Sequence, residues 1–177
     1  IPAYQQESEK VRIALSKYGL DEHTVLDANH RALSPSDFGL HNTLRSLDGR
    51  LIFLDFEYFG WDDPVKMVSD IILHPGNSLT TKLQKHFYHC MKDYYKLIEP
   101  TFTPRFQITL PLYALIWCLI ILGDFLPDQW ARRTFAGESA SKDIFQKKQL
   151  IEAELLLRKL IAPSFSSDII SNIGLER

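Results

Sequence analysis

The segment SPSDFGLHNTLRSLDGRLIFLDFEYFGWDDP (residues 34–64) combines the clearest β-strand pattern of the chain with a concentration of acidic side chains. Two partly apolar runs, NTLRSL and RLIFLDF, flank the Asp-Gly pair at 48–49, which is typical of a two-residue hairpin turn. Alternation along the second run predicts that Leu51, Phe53 and Asp55 share one face of a strand. A carboxylate at the end of such a strand is costly to bury unless it meets a cation or hydrogen-bond donors. Asp55 is therefore a candidate site residue.

The rest of the chain shows helical periodicity. A Pro follows Asp62 and Asp63, and either acid can cap a helix that opens near Pro64. The pattern predicts helices over 5–18, 64–73, 80–98, 108–122 and 141–161. It also predicts an extended piece near 32–34 and a break at 74–78. Residues 162–177 show only weak periodicity. The predicted fold is α+β but mainly helical, with a small hairpin on a helical body and a single domain over residues 1–177.

The composition is that of a globular protein with no electrostatic preference for polyanions. The 177 residues are 45% hydrophobic, and 20 basic against 22 acidic residues give a net charge of -2. We therefore expect neither nucleic acid nor an anionic membrane as a partner. Cys90 and Cys118 lie in apolar helical patterns without zinc-ligand spacing, which predicts two reduced, buried thiols in a cytoplasmic protein.

The most apolar stretch is ITLPLYALIWCLIILG (108–123). It is short for a membrane span and contains Pro111 and Tyr113. We interpret it as a core helix rather than a membrane anchor. The start of the sequence shows no basic segment followed by an apolar run, so nothing there resembles a signal peptide.

The acidic hairpin has the residue types that phosphoryl transfer from a nucleotide requires. That chemistry needs a carboxylate to accept the proton of the attacking hydroxyl, and oxygen ligands that hold magnesium on the phosphates. Asp37 and Asn42 form a D-x-x-x-x-N pattern on one loop. Because the hairpin folds back, Asp55 is expected to return to the same end.

These residues also resemble a known family. SDFGLHN, followed by IFLDFEYFGWDDPVKMVSD, is similar to the catalytic segment of the aminoglycoside phosphotransferase and choline kinase group of the protein-kinase-like superfamily. That group typically shows an H-G-D-x-x-x-x-N loop, an I-D-[FW]-E strand end and a G-D-P-x-x-D-[LI]-A helix. The similarity covers residues 34–73, and the helical remainder at 80–161 is compatible with the C-terminal lobe of that family. Two linked motifs in order are more specific than either alone.

The resemblance implies a role for each matching residue. Asp37 matches the catalytic base, and Asn42 matches the magnesium-binding asparagine of the loop. Asp55 matches the aspartate that bridges metal and phosphates. Glu57 occupies the acidic position after it, which would support metal-bound waters or substrate. Asp70 matches the aspartate that braces the catalytic loop through backbone donors. The implied cofactors are Mg²⁺ and ATP, and the implied substrate is a small-molecule hydroxyl compound, for which a cationic acceptor such as an aminoglycoside or choline would suit the acids.

The sequence also departs from the family pattern. The loop histidine is replaced by Pro35, the glycine after it by Ser36, and the second histidine by Gly39, while His41 precedes Asn42. Nothing before residue 34 resembles the glycine-containing phosphate loop and the lysine of the N-terminal ATP lobe. We therefore expect that lobe to be missing from these residues, which would fold but would not catalyse transfer alone.

Two other interpretations stay open. The chain could be a non-catalytic, kinase-like binding or regulatory protein, which the change to Pro35 favours. It could also be a different magnesium enzyme with an independently acquired acidic hairpin. Taken singly, Asp37 is typical of an Asx-turn and Asn42 of a polar strand entry. The acceptor is not determined, since sugars and amino-acid alcohols are as compatible as cationic amines.

Overall fold

A computed structural model describes residues 2–21, 23–137 and 141–161. In these ranges the chain is mainly helical with two small antiparallel sheets, so the predicted α+β class is confirmed. The α-helices of the described ranges are α1 (Pro2–Ser16), α2 (Pro64–Leu73), α3 (Thr81–Tyr95), α4 (Phe102–Leu122), α5 (Pro127–Phe135) and α6 (Lys142–Ile161). The strands are β1 (Ala32–Ser34), β2 (Thr43–Arg45), β3 (Leu51–Phe53) and β4 (Gly60–Asp62).

The described residues divide into two compact units. The first contains residues up to Tyr113, and the second begins at Ala114, so the boundary lies within α4. The candidate site residues all belong to the first unit. The single domain over residues 1–177 and the kinase-like lobe both stay predictions. The weakly patterned segment 162–177 lies outside the described residues.

The predicted hairpin is present, but its turn is longer than expected. Strands β2 and β3 pair antiparallel, with Arg45 opposite Leu51. Ser46 N–H donates to Arg50 O at 2.9 Å, and Gly49 N–H donates to Ser46 O at 2.9 Å. The connection therefore has three residues, 47–49, rather than two. Gly49 has φ +86°, the left-handed conformation that closes a three-residue loop of this kind.

A second pair of strands is formed by one strand that precedes the hairpin in sequence and one that follows it. The extended piece predicted at 32–34 is confirmed as β1, and it pairs antiparallel with β4, which the sequence did not predict. Ala32 lies opposite Asp62, and Ser34 lies opposite Gly60. Because β4 is the three-residue stretch Gly-Trp-Asp, its alternation is too short to recognise. This pairing joins the two ends of the segment that carries Asp37, Asn42, Asp55 and Glu57.

Helix α2 begins and ends where the sequence predicted. The carboxylate of Asp63 accepts a hydrogen bond from Val65 N–H at 2.8 Å, and Pro64 occupies the first turn, where no backbone donor is needed. Its apolar face is buried and includes Val65, Val68 and Ile72. The break predicted at 74–78 is a short 3-10 turn, Pro75–Asn77.

The core of the first unit contains aromatic pairs between α3 and the first half of α4. The rings of Tyr88 and Phe106 stack with centroids 4.6 Å apart, and those of Tyr95 and Phe102 with centroids 5.1 Å apart. All four residues are buried. The prediction that α4 begins near 108 is wrong, since the helix begins at Phe102. Pro104 does not prevent this, because it lies in the first turn, where a proline is compatible with a helix.

Helix α4 is longer than the sequence indicated. Among the residues that the structure describes, Phe102–Phe125 is the one helical stretch long and apolar enough to cross a membrane, and 39% of its most apolar window is buried. The buried side chains include Leu110, Ala114 and Cys118, whereas Leu119 and Ile120 are exposed. The absence of a membrane partner and the cytoplasmic location therefore stay predictions.

The second unit has its own buried polar centre. Asp124 is buried and accepts hydrogen bonds from Arg133 Nε at 2.7 Å and from Gln149 Nε2 at 2.8 Å. The guanidinium of Arg133 also lies over the ring of Phe145, 5.1 Å from its centroid. These contacts join the turn after α4 to α5 and α6.

The two cysteines have different environments. Cys118 is buried, as predicted, and its thiol lies 3.6 Å from Ala153 O. The prediction is wrong for Cys90, which is exposed on α3, 3.8 Å from His86 Nε2. The apolar stripe of α3 does not bury this position, since the buried residues of that helix are Tyr88 and Tyr95.

Candidate active site

The loop between β1 and β2 brings Asp37 and Asn42 together. Asn42 Nδ2 donates to Asp37 O at 3.0 Å and to the carboxylate oxygen Asp37 Oδ2 at 3.3 Å. The loop turns at Ser36, which has φ +66° and whose N–H donates to Ser34 Oγ at 3.0 Å. With its nitrogen turned toward Asp37, Asn42 retains its amide oxygen as the atom that could bind a cation.

Asp55 returns to the same end of the hairpin, although not on a strand face. Leu54 N–H donates to Asn42 O at 2.8 Å, which continues the pairing beyond β3 and places the next residue beside the loop. Asp55 itself has φ +60°, so the chain leaves the extended conformation there. The predicted shared face with Leu51 and Phe53 is therefore wrong. The side chain of Asp55 is exposed rather than buried.

Tyr58 lies among the acids of the site, which change the pKa of its hydroxyl group. Sequence reasoning did not identify this residue. The pKa of its hydroxyl is raised, first by a hydrogen bond to Glu57 and by the charge of Glu57, with smaller contributions from burial and from the charges of Asp55 and Asp37. The charges of Glu57, Asp55 and Asp37 all raise the pKa of this phenol, and that of Glu57 contributes most. A tyrosine that follows an acidic residue in a loop carries no pattern that predicts this position.

Asp70 lies on α2 and pairs with a lysine of the same helix. Lys66 Nζ is 3.0 Å from Asp70 Oδ2 and 2.8 Å from Asp62 Oδ2. Burial acts to lower the pKa of Lys66, but hydrogen bonds and charge from the two carboxylates outweigh it, so the net shift is upward. The role of Asp70 in bracing the loop stays a prediction.

Asn77 connects the loop to the end of α2, and sequence reasoning missed it. Its Oδ1 accepts a hydrogen bond from Leu40 N–H at 2.7 Å, and its Nδ2 donates to Ile71 O at 2.9 Å. Asn77 is 4% exposed, and its bond to Ile71 O is buried, whereas its bond from Leu40 N–H is partly buried. The stretch HPGNS indicates a turn, but no local pattern identifies a partner 37 positions away.

Two histidines adjoin the carboxylate of Asp37. His41 Nε2 is 3.1 Å and His74 Nε2 is 3.4 Å from Asp37 Oδ1. The two imidazole rings stack with centroids 4.1 Å apart and an interplanar angle of 6°. Two glycines make this packing possible. A Cβ at Gly39 would lie 2.6 Å from His41 Nδ1, and one at Gly76 would lie 2.9 Å from His74 Cε1.

The arrangement fits a hard cation better than a nitrogen-bound metal. The ligand atoms of Asp37, His41 and His74 lie within 4.8 Å of one another. However, His74 Nδ1 accepts a hydrogen bond from Gly76 N–H, so neutral His74 carries its proton on Nε2 and has no lone pair there for a metal. The oxygen atoms of Asn42 and Asp55 are ligands of the kind that Mg²⁺ prefers.

The surface beside these residues carries exposed apolar side chains. Several large side chains of the hairpin and its flanking strands are about half exposed or more: Leu33, Leu44, Leu51, Ile52, Phe56 and Trp61. The sequence predicted apolar faces on the hairpin, and within the described residues those faces are open to solvent.

No family model matches this chain, and no curated protein or solved structure matches it. The resemblance to the aminoglycoside phosphotransferase and choline kinase group thus rests on the sequence motifs alone.

Proposed function

We propose that this chain carries the catalytic half of a Mg²⁺- and ATP-dependent phosphotransferase that acts on a hydroxyl group of a small molecule. The observation that supports it most directly is the hydrogen bond between Asn42 and Asp37, together with the Leu54–Asn42 backbone bond that places Asp55 beside the same loop. These two contacts support a site in which a base, an amide oxygen and a second carboxylate act together at one end of the hairpin.

Each of these residues has a distinct task in the proposed reaction. Asp37 accepts the proton of the attacking hydroxyl group. The amide oxygen of Asn42 and the carboxylate of Asp55 would hold Mg²⁺, and Glu57 would support its waters or the substrate. The ion would supply charge neutralisation on the phosphates of ATP, which is a large part of catalysis in this reaction class. The acids around Tyr58 would also favour a cationic acceptor.

The nucleotide side of the site is proposed to come from an ATP-binding lobe. Residues 1–33 contain one glycine, Gly19, and no pattern like a phosphate loop. The exposed apolar side chains of the hairpin support the proposal that such a lobe covers this face. We expect the 177 residues alone to fold without transferring phosphate, whereas the product of the complete reading frame transfers it. Robust ATP-dependent transfer by the 177 residues alone would contradict this part of the proposal.

The experiment that tests the function is a transfer assay with the protein expressed from its complete reading frame. Purified protein is incubated with γ-labelled ATP, Mg²⁺ and a panel of aminoglycosides, choline, amino-acid alcohols and sugars. We expect Mg²⁺-dependent label on at least one acceptor. Asp37→Asn should reduce the rate by about 10²–10⁴-fold, because it removes the general base. Asp93→Asn is the matched control, since Asp93 is an exposed acid on α3.

The same assay separates the regulatory alternative, which Pro35 in place of the loop histidine favours. Binding of Mg²⁺-ATP without transfer to any acceptor would support a non-catalytic protein. Transfer that is unaffected by Asp37→Asn would overturn the assignment of the base.

A further inference from the structure

We propose that His74 is a positioning residue for the general base, because its Nε2 atom lies 3.4 Å from the Oδ1 atom of Asp37 and an N–H group there attracts and so orients the carboxylate. This inference rests on the proposed function of Asp37 and extends it to a residue from the end of α2, 37 positions away in the chain. His74 would touch neither substrate nor nucleotide, and would act only through Asp37.

The tautomer of His74 follows from its second hydrogen bond. Gly76 N–H donates to His74 Nδ1 at 2.9 Å, so Nδ1 must be an acceptor. A neutral imidazole with an acceptor at Nδ1 carries its proton at Nε2. Burial, with the nearby charge of His41, lowers the pKa of His74, which keeps the ring neutral near pH 7 although Asp37 opposes the shift. The atom that faces Asp37 Oδ1 at 3.4 Å is therefore a donor.

Asp37 has two oxygen atoms with different partners. Oδ1 faces the Nε2 atoms of His41 and His74, whereas Oδ2 accepts from Asn42 Nδ2 at 3.3 Å. The side chain is 43% exposed, so without these contacts its carboxylate could rotate into solvent. The hydrogen bonds with His41 on one side and Asn42 on the other restrict that rotation, and the Nε2–H group of His74 adds an electrostatic contact at 3.4 Å. A general base must be held in line with the proton that it accepts, since misplacement by about 1 Å can cost roughly 10²-fold in rate.

The imidazole of His74 is itself held firmly. Its side chain is 18% exposed, one face stacks on the ring of His41, and its Nδ1 is anchored by the turn that follows α2. A side chain on Gly76 would collide with this ring, so the close approach needs glycine. The donor that His74 presents to Asp37 is therefore preorganised, as a supporting group around an active site needs to be.

Two substitutions of His74 separate the donor from the acceptor. The amide nitrogen of Gln can replace Nε2, so His74→Gln keeps a donor for Asp37. The amide oxygen of Asn can replace Nδ1, so His74→Asn keeps the acceptor for Gly76 and loses the donor. In the transfer assay we expect His74→Asn to lower kcat by roughly ten- to a hundredfold with the KM for ATP nearly unchanged. His74→Gln should stay within a few fold of the unmodified protein, as should the control His86→Asn on the exposed face of α3.

Any other result from the His74→Asn and His74→Gln variants overturns the inference. Wild-type kcat in His74→Asn, equal losses in both variants, or a larger loss in His74→Gln would each show that the Nε2–H donor does not orient the base. Thermal melts of both variants establish that they are folded. Loss of rate in Asp37→Asn must accompany these results. If Asp37→Asn is fully active, the proposed function of Asp37 fails, which is distinct from failure at His74.

A measurement that needs no activity completes the test. Long-range ¹⁵N–¹H NMR spectra of the protein at pH 7, assigned with His74→Gln, distinguish protonated from unprotonated ring nitrogens. We expect His74 to carry its proton on Nε2. A proton on Nδ1 would overturn the proposal whatever the transfer rates of the two variants.

Discussion

Asn77 Oδ1 accepts a hydrogen bond from the backbone N–H of Leu40 at 2.7 Å, so a side chain from the turn after α2 holds the loop that carries Asp37 and Asn42. The same side chain donates to Ile71 O at 2.9 Å and thereby ties the loop to the last turn of that helix. The loop geometry on which the proposed chemistry depends is thus set from outside the loop.

We expect Asn77→Ala to lower the free energy of unfolding by about 1–3 kcal/mol, because Ile71 O loses a buried partner and Leu40 N–H loses a partly buried one. Transfer activity should fall as well, since the loop loses its connection to α2. Urea unfolding measures the first effect, and the matched control is Asn29→Ala at an exposed position. Equal stability of the two variants would show that Asn77 does not hold the loop.

Gly39 allows the loop to approach Asn77, and we expect Gly39→Ala to be destabilising by about 1–3 kcal/mol. An added Cβ would lie 2.2 Å from Asn77 Oδ1 and 2.6 Å from His41 Cε1, so one of these side chains must move. Gly123→Ala is the control, because a Cβ there meets nothing within 4 Å. If the thermal midpoints of the two variants shift equally, the close packing of Gly39 is not important for stability.

A buried ion network near α2 gives a stability prediction that is independent of the proposed chemistry. Arg105 donates to both oxygens of Asp63, the cap of α2, and to Glu99 Oε2 at 3.1 Å. Glu99 is 2% exposed, so Arg105→Met would leave a buried carboxylate without its cation. We expect a loss of about 3 kcal/mol in the free energy of unfolding.

The control for this change is Arg158→Met in α6. Arg158 pairs with Glu154 on an exposed surface, and such pairs contribute about 0–1 kcal/mol. Chemical denaturation of both variants compares the two sites. A loss below about 1 kcal/mol for Arg105→Met would mean that the network contributes no more than a surface pair.

Local patterns predicted the parts of the site that depend on near neighbours. The cap Asp63 and the proline after it defined the start of α2, because capping involves residues only two or three positions apart. Asp37 and Asn42 are five positions apart and meet within one loop, as the motif implied. The strand alternation predicted the wrong position for Asp55, because this residue has a positive φ that ends the alternation. No sequence feature indicates that positive φ.

The rest of the site depends on contacts that sequence patterns do not encode. His74 and Asn77 reach the Asp37 loop from 37 positions away, and both lie in a stretch that the sequence identifies only as a break. Their partners are set by where the end of α2 lies after packing of its buried face. Similarly, the pairing of β1 with β4 involves three-residue strands, whose partners follow from tertiary structure.

Asp37 and Asp55 should have separable roles in the complete protein. Asp37→Asn removes the base, so we expect the rate of transfer to fall while the Kd for Mg²⁺-ATP changes little. Asp55→Asn should lower the rate and also raise that Kd by at least about tenfold, equivalent to about 1.4 kcal/mol, because a proposed metal ligand loses its charge. Calorimetric titration with Mg²⁺-ATP gives the Kd of each variant. Mild and equal effects in both would indicate that neither carries the chemistry.

The last prediction concerns acid and the imidazole of His74. Burial and the neighbouring His41 lower the pKa of His74 from its ordinary value of 6.5, while Asp37 acts in the opposite direction. A histidine with a lowered pKa binds its proton less tightly in the folded than in the unfolded protein, so the unfolded state takes up more protons below 6.5. The contribution of His74 to stability is therefore fully present above pH 6.5 and is lost as the pH falls from there through the pKa of the folded state. We expect the free energy of unfolding to drop as the pH falls below about 6.5, and the drop to be smaller in His74→Gln, which has no imidazole to protonate. Urea titrations of both proteins across this range measure the difference. Parallel pH profiles would show that the protonation of His74 is not linked to folding.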